Sequence, residues 1–189
     1  MSTDDEVAGL IAVRDVLRPE ATEAVARLKE QSIRLVMLTG DNPRAAGVIA
    51  SEAGIGEAHA ALLPEDKLRL VREWQSKGNQ VTFVGDGIND APALAAADIG
   101  VAMGAAGADV AIETSDIAFL SDDLTKMPEI IALSRRTLSI IRQNIAFSVG
   151  LNILSVVAAG LGWISPIGGA IIHEGGAMAV IINAVRLLR

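Results

Sequence analysis

The chain has 189 residues, of which 51% are hydrophobic and 3% aromatic, and its formal net charge is −7 at pH 7. This length accommodates one ordinary domain and an appendage. The acidic balance and the lack of clustered Lys and Arg argue against nucleic acid as a partner. A sequence without cysteine has no disulfides or thiolate metal sites of its own.

Strand and helix patterns alternate along the first two thirds of the chain. We predict strands at residues 10–13, 33–38, 81–84, 99–103 and 117–120, and helices at residues 19–31, 44–53, 64–77 and 91–97. Strands that alternate with helices of about a dozen residues indicate βαβ units and a parallel sheet. The predicted fold class is therefore α/β, with a Rossmann-like parallel sheet.

The last third of the chain has the pattern of a membrane hairpin. Residues 145–182 contain a single charged side chain, Glu174. Residues 145–165 are uncharged and long enough to cross a bilayer as a helix, although a buried core helix is the alternative. Residues 167–185 form a second apolar stretch. Arg142 and Arg186 flank the two outer ends, so we predict that both ends face the cytoplasm.

Two polar loops follow predicted strands, at the strand ends where parallel sheets bind their ligands. One comprises residues 39–41, and the other comprises residues 85–90 and carries Asp86, Asn89 and Asp90. Two carboxylates and an amide are hard oxygen ligands that suit Mg²⁺. A plain acidic turn is the alternative, because Asp, Asn and Gly favour turns.

Four strings in this part of the chain form a specific combination. They are LTGD at 38–41, PEDK at 64–67, GDGINDAPAL at 85–94 and ADIGVAMG at 97–104. In this order and spacing they resemble the P-type ATPases of the haloacid-dehalogenase superfamily. The resemblance implies a haloacid-dehalogenase-like fold, incomplete here, and phosphoryl transfer that uses Mg²⁺ and ATP.

The resemblance also implies a role for each matching residue. As catalytic residues, Thr39 should hydrogen-bond the phosphoryl oxygens, Asp41 should help to position nucleotide, and Lys67 should neutralise phosphoryl charge. Asp86 and Asp90 are the expected Mg²⁺ ligands. The other expected cofactor-binding positions are Gly40, Gly85 and Asn89.

The residue that takes the phosphate in this family is not recognisable in the sequence. The family forms an aspartyl phosphate within the motif Asp-Lys-Thr-Gly-Thr, which this sequence lacks. The nucleotide-binding domain that follows that motif is not recognisable either, so ATP is expected to bind through that missing domain. Asp15 follows an apolar run, but Val16 and Leu17 offer no polar help, and we do not expect Asp15 to be a nucleophile.

The second apolar stretch carries two ionisable residues, His173 and Glu174. Such groups cost about 2.5–3.5 kcal/mol at bilayer depth and are functional candidates by default. Both are good ligands for zinc, cobalt and similar cations, although a structural hydrogen bond to a neighbouring helix is the alternative. Asn152 is either a secondary ligand or a helix–helix contact. Gly175 and Gly176 allow close approach of another helix.

The string HEGG at 173–176, followed by Asn183 and AVRLLR, resembles the last membrane helix of heavy-metal P-type ATPases. The form is nearest the branch associated with cobalt and zinc, although Ala177 stands where that branch commonly has Thr. The resemblance implies a partial phosphorylation domain at residues 1–126, a juxtamembrane helix or linker at 127–144, and a transmembrane hairpin at 145–189.

The sequence therefore predicts part of an ATP-driven efflux pump for a heavy-metal cation such as zinc, cobalt or cadmium. The expected partners are the membrane, the divalent cation and the N-terminal part of the ATPase. The expected location is the plasma or inner membrane, with residues 1–144 cytoplasmic. The alternative is a catalytically inactive, membrane-anchored module or remnant. A free-standing phosphatase is disfavoured by the missing nucleophile and by the hairpin.

Overall fold

The computed structural model describes residues 2–3, 6–7, 17–86, 89–104 and 109–188. The chain divides into two compact units, residues 1–128 and residues 129–189. The strand predicted at residues 10–13 and the candidate nucleophile Asp15 lie outside the described residues.

The first unit alternates short strands with helices. Its strands are β1 (Ser2–Thr3), β2 (Glu6–Val7), β3 (Met37–Leu38), β4 (Ala58–His59), β5 (Thr82–Gly85), β6 (Ile99–Ala102) and β7 (Ile117–Ala118). Its helices are α1 (Pro19–Glu30), α2 (Pro43–Ala53), α3 (Pro64–Ser76), α4 (Ala91–Ala96) and α5 (Asp109–Thr114). The predicted α/β class is confirmed.

Local sequence signals mark the beginnings of α1, α2 and α3. Pro19, Pro43 and Pro64 each occupy the first turn of a helix, where the missing N–H has no intrahelical partner to lose. Asn42 caps α2, because its side-chain oxygen accepts two backbone N–H groups of the first turn. The predicted bounds of α1, α2 and α3 are confirmed to within one residue.

The parallel strands lie in two separate sheets among the described residues. In the larger sheet, β5, β6 and β7 are parallel, with Gly85 opposite Ala102. In the smaller one, β3 and β4 are parallel, with Leu38 opposite His59. The β1 and β2 strands pair antiparallel. Because parallel strands end at the same edge, β5 and β6 bring their following loops together.

The strand predicted at residues 33–38 is shorter in the structure, where only Met37 and Leu38 pair. Arg34 is exposed, and its guanidinium donates to Glu57 Oε2 at 2.5 Å instead of covering a core. Residues 2–3, 6–7, 58–59 and 109–114 form short elements that are not predicted from the sequence. Strands of two residues and a helix of six are too short to show a hydrophobic period.

The core of the first unit lies between α3, α4 and the larger sheet. Val71, Phe83, Ala93, Leu94 and Ala96 form its buried cluster. Leu38 also packs against this cluster. The core therefore draws together the elements that carry the PEDK and GDGINDAPAL strings, together with the strand that ends in LTGD.

The second unit contains most of α6 (Lys126–Gly160) and all of α7 (Pro166–Val185), followed by a short 3₁₀ turn (Arg186–Leu188). Both helices are long and apolar enough to cross a membrane, and little of either span is buried. The helix α6 is continuous, so no break separates the residues on either side of position 145. Ser165 caps α7 by accepting the N–H of Gly168 at 3.2 Å.

Candidate functional site

Asp90 is held between two elements of the first unit. Its backbone carbonyl accepts the N–H groups of Ala93 and Leu94, which starts α4. Its side chain receives Lys67, whose Nζ donates to Oδ1 at 2.6 Å. Lys67 stands in the first turn of α3, so this ion pair joins the beginnings of two helices.

The pair between Lys67 and Asp90 is largely withdrawn from solvent. The two side chains are 13% and 12% exposed. Attraction between opposite charges is stronger in such an environment than at the surface, but each charge depends on its partner because both have lost hydration. An anion that bound at this position would meet the Lys67 ammonium group, whose orientation is already fixed by Asp90.

Gly85 makes room for the carboxylate of Asp90. A Cβ added at Gly85 would lie 2.6 Å from Asp90 Oδ2 and 3.0 Å from Asp90 Cβ, so a side chain does not fit there. Glycine is needed at this strand end because the carboxylate packs directly over the backbone. Asp86 follows immediately and is exposed, so two carboxylates lie at the carboxyl end of β5.

The loop after β3 is organised around Thr39 and Asp41. The Thr39 hydroxyl donates to Asp41 Oδ2 at 2.8 Å, and Asp41 N–H donates back to Thr39 Oγ1 at 3.1 Å. The carbonyls of the same two residues accept the N–H groups of Leu62 and Ala61, respectively. The segment before α3 therefore holds the loop in place. Gly40, which lies between Thr39 and Asp41, is exposed.

The start of α3 is fixed by Asp66, the neighbour of Lys67. Asp66 Oδ1 accepts from Arg69 at 2.9 Å, and Oδ2 accepts the N–H of Leu63 at 3.1 Å. The Arg69 guanidinium, together with that backbone N–H, lowers the pKa of the Asp66 carboxyl below its ordinary value of 3.8. An ionised Asp66 thus stabilises the helix end that presents Lys67.

A second charged group lies beside the Thr39 loop, at the beginning of β4, where Glu57 immediately precedes the strand. Glu57 accepts from Arg34 and is 3.2 Å from His59 Nε2. The Arg34 guanidinium, and then His59, lower the pKa of the Glu57 carboxyl. His59 also lies beside Trp74 of α3, with 6.2 Å between ring centroids. These contacts attach β4 to its neighbours.

The donor set at the end of β5 fits Mg²⁺. Asp86 and Asp90 provide carboxylate oxygens, and Asn89, which is exposed, adds an amide oxygen. The space above Gly85 is kept for a carboxylate rather than for an apolar side chain. Mg²⁺ usually keeps several waters and takes one or two carboxylates. Among the described residues, no three His, Asp or Glu side chains converge as a closed metal site.

Four of the sequence-predicted site residues of the first unit form two hydrogen-bonded pairs. The structure joins Thr39 to Asp41 and Lys67 to Asp90. In the second unit, Asn152, His173 and Glu174 are all exposed, so the hairpin by itself encloses none of them.

Sequence reasoning missed the polar contact between the two long helices. Asn183 Nδ2 donates to Asn144 Oδ1 at 2.8 Å and to Gln143 Oε1 at 3.4 Å. The available signal was the presence of amide side chains in both apolar helices. Such groups hydrogen-bond to one another across helices where water is scarce.

Comparisons with known proteins agree with this architecture. The family model for haloacid dehalogenase-like hydrolases matches residues 2–98. Over its whole length the chain is 47% identical to a zinc-exporting P-type ATPase of Mycobacterium marinum and 48% identical to a manganese-exporting P-type ATPase of Mycobacterium tuberculosis, and it covers 26% of each. A crystal structure of a zinc-transporting PIB-type ATPase in the E2.Pi state matches with a TM-score of 0.90 at 44% identity, over 98% of this chain and 30% of that chain.

The chain therefore belongs to the haloacid dehalogenase-like hydrolase family. Within that class it is similar from end to end to heavy-metal P-type ATPases, which confirms the resemblance predicted from its motifs. It spans about a quarter of the length of these curated relatives, 26% in each case.

Proposed function

We propose that this chain is part of an ATP-driven export pump for a divalent heavy-metal cation such as zinc, cobalt or cadmium. It contributes phosphate-site residues and two membrane helices. The observation that carries the proposal is the part-buried pair of Lys67 and Asp90, placed beside Asp86 at the carboxyl end of a parallel strand. The same chain carries two apolar helices of membrane-spanning length.

The phosphate-site residues divide the work of phosphoryl transfer among them. Lys67 is charged and oriented, so it can neutralise developing negative charge on a phosphoryl group. The Thr39 hydroxyl, which donates to Asp41 here, can turn its hydrogen to a phosphoryl oxygen while Asp41 keeps the loop in place. On this proposal Asp41 also helps to position nucleotide.

Asp86 and Asp90 would hold Mg²⁺, with Asn89 in support and Gly85 leaving the space. When bound, Mg²⁺ supplies charge neutralisation for the phosphoryl oxygens. Gly40 leaves the backbone of the Thr39 loop accessible to the phosphoryl group. The phosphorylated aspartate and the domain that binds ATP are contributed from outside this sequence, which lacks the motif Asp-Lys-Thr-Gly-Thr.

The membrane part would carry ligands for the transported cation. His173 and Glu174 supply an imidazole nitrogen and a carboxylate, and Asn152 is a secondary ligand. On this proposal the chain is a multi-pass segment of the plasma or inner membrane, with residues 1–144 cytoplasmic. Residues 1–126 act as a partial phosphorylation domain, and residues 127–144 connect it to the hairpin at 145–189.

A second candidate function is a membrane-anchored module without catalysis of its own. The sequence feature that favours it is the absence of the phosphorylated motif. The two candidates differ in one observable, which is whether phosphoryl transfer in membranes depends on this chain.

Acid-gel autophosphorylation with labelled ATP in native membranes, followed with an antibody to this chain, tests the proposal. We expect label on a larger polypeptide that contains or co-purifies with the chain, and no label on a 19.6 kDa band. Lys67→Ala should abolish the label, and Lys77→Ala, which alters an exposed lysine, is the matched control.

Two results would contradict the proposal. Label on the 19.6 kDa chain itself would mean that it contains its own nucleophile. Label on the larger polypeptide that persists in the Lys67→Ala variant would mean that this chain contributes nothing to phosphoryl transfer, as the second candidate requires.

A further inference from the structure

The two membrane helices meet closely at one glycine. Gly176 is the buried residue of α7, and a Cβ added there would overlap the Leu151 side chain of α6. Gly175, its neighbour in sequence, would meet nothing within 4 Å. The α6-facing side of α7 therefore passes through position 176 and not through position 175.

A second contact lies on the same side of α7, toward its C-terminal end. Asn183 Nδ2 donates to Asn144 Oδ1 at 2.8 Å, and Arg186 Nη1 donates to Asn183 Oδ1 at 3.0 Å. Gly176 and Asn183 are seven residues apart, which brings them within about 20° of each other around a helix of 3.6 residues per turn. Two contacts on one face, separated along the helix, determine how α7 is rotated against α6.

That rotation directs Glu174 away from α6. Glu174 precedes Gly176 by two residues, so it lies about 160° around the helix from the contact face. The same outward side carries a line of exposed apolar residues, and Glu174 is exposed in the middle of it. These residues are Ile167, Ile171, Met178, Ile181 and Val185.

A carboxylate in the middle of an apolar face is costly in a bilayer unless a cation or a polar group meets it. Among the described residues of the hairpin, the polar contact between Asn183 and Asn144 lies on the opposite face. The outward face therefore fits a further membrane helix of the same pump, which brings polar groups or a cation to Glu174. The relatives, of which this chain covers 26%, have enough additional length to supply one.

We propose that Gly176 and Asn183 are positioning residues for cation transport, and that they hold α7 so that the Glu174 carboxylate faces helices outside the hairpin. This inference rests on the proposed function, in which Glu174 is a ligand of the transported cation. Neither positioning residue touches the cation. Both act by fixing the direction of the residue that does.

The geometry can be tested without any activity, because the chain has no cysteine. In the full chain in membranes, Asn144→Cys combined with Asn183→Cys should form an intramolecular disulfide on mild oxidation. The disulfide would be detected because neither thiol would then react with a polymer-linked maleimide. The matched control combines Asn144→Cys with Ile181→Cys, which lies about 160° around α7 from Asn183. Equal cross-linking of the two pairs would overturn the proposed rotation.

The consequence for transport is tested in the full-length pump in membranes, with zinc alone as the probe. Gly176→Ala should raise the zinc concentration for half-maximal ATP hydrolysis about tenfold, as expected when a residue that orients a metal ligand is altered. Gly175→Ala should leave it unchanged. Leu151→Ala, which removes the atoms that a Cβ at position 176 would meet, should restore the Gly176→Ala variant.

The outcomes separate this inference from the proposed function. If the unsubstituted pump shows no ATP hydrolysis stimulated by zinc, by cobalt or by cadmium, the proposed function fails, and the positioning role fails with it whatever the cross-links show. If hydrolysis is stimulated but Gly176→Ala and Gly175→Ala behave alike, or Leu151→Ala does not restore the variant, only the positioning role is overturned.

Discussion

Lys67 Nζ lies 2.6 Å from Asp90 Oδ1, and both side chains are mostly buried. A second lysine–carboxylate pair in the chain has the same length but different surroundings. Lys77 Nζ is also 2.6 Å from a carboxylate, that of Glu73, but these side chains are 60% and 45% exposed. The distance is the same, and the surroundings differ. Exposed pairs contribute little because water and salt screen them, whereas a buried charge that loses its partner is left without hydration.

The first prediction concerns the stability contributed by this part-buried pair. Lys67→Ala should lower the free energy of unfolding of the first unit by about 3 kcal/mol, since Asp90 would remain buried without its partner. Lys77→Ala should change it by less than about 1 kcal/mol. Urea unfolding in detergent, followed by tryptophan fluorescence of the full chain carrying Trp163→Phe so that the signal comes from Trp74, measures both. Equal effects of the two substitutions would show that burial of the pair does not matter.

The second prediction concerns the space above β5. Gly85→Ala should destabilise the first unit by about 1–3 kcal/mol, because the added Cβ would overlap the Asp90 carboxylate. It should also weaken Mg²⁺-dependent phosphorylation in the assembled pump. Gly47→Ala, in the interior of α2 where a Cβ meets nothing within 4 Å, should stabilise by about 1 kcal/mol instead. Thermal unfolding of the two variants should therefore move in opposite directions.

The third prediction concerns pH. The folded pKa of Asp66 is lowered by Arg69 and by the Leu63 N–H, so its contribution is present above the unfolded value of 3.8 and is lost as pH falls through the lowered folded pKa. Asp66→Asn should therefore reduce stability at neutral pH, and the difference from the unsubstituted chain should shrink below about pH 4. Unfolding midpoints between pH 7 and pH 2.5 measure this.

Glu65→Gln is the control for that experiment, since it removes one negative charge from the same helical turn without removing the bond to Leu63. A difference for Asp66→Asn that stays constant across the pH range would contradict the assigned role of the carboxylate.

The fourth prediction concerns cation binding by the chain without its partners. We expect zinc to bind weakly to the full chain in detergent, because His173 and Glu174 are two exposed ligands and closed zinc sites usually need four. Isothermal titration with zinc, with His173→Ala as the comparison, measures this. Tight stoichiometric binding that survives His173→Ala would contradict the assignment of these residues.

The sequence alone predicts the helices of the first unit well because their beginnings are encoded locally. Pro43 and the Asn42 cap act within one turn of α2, and their effect needs no distant partner. The strand before Thr39 is predicted too long, because its extent depends on which residues find a partner strand. That pairing is non-local, and no pattern within the segment reveals it.

Motif spacing likewise predicts the identity of the candidate site residues, but not their pairing. Lys67 and Asp90 are 23 positions apart and meet because α3 and α4 pack around one core. The amide contact between Asn183 and Asn144, 39 positions apart, depends in the same way on how two helices pack.

By itself, the sequence determined the α/β class, the two apolar helices and the residue types that suit Mg²⁺ and a transition-metal cation. These features depend only on which residues are present and on their order along the chain. Only the tertiary structure decided that the missing side chain of Gly85 leaves room for the Asp90 carboxylate, and that Glu174 faces away from α6. Both depend on atoms from another element that approach a glycine backbone, and the rotation of a helix is determined by such contacts rather than by its own sequence.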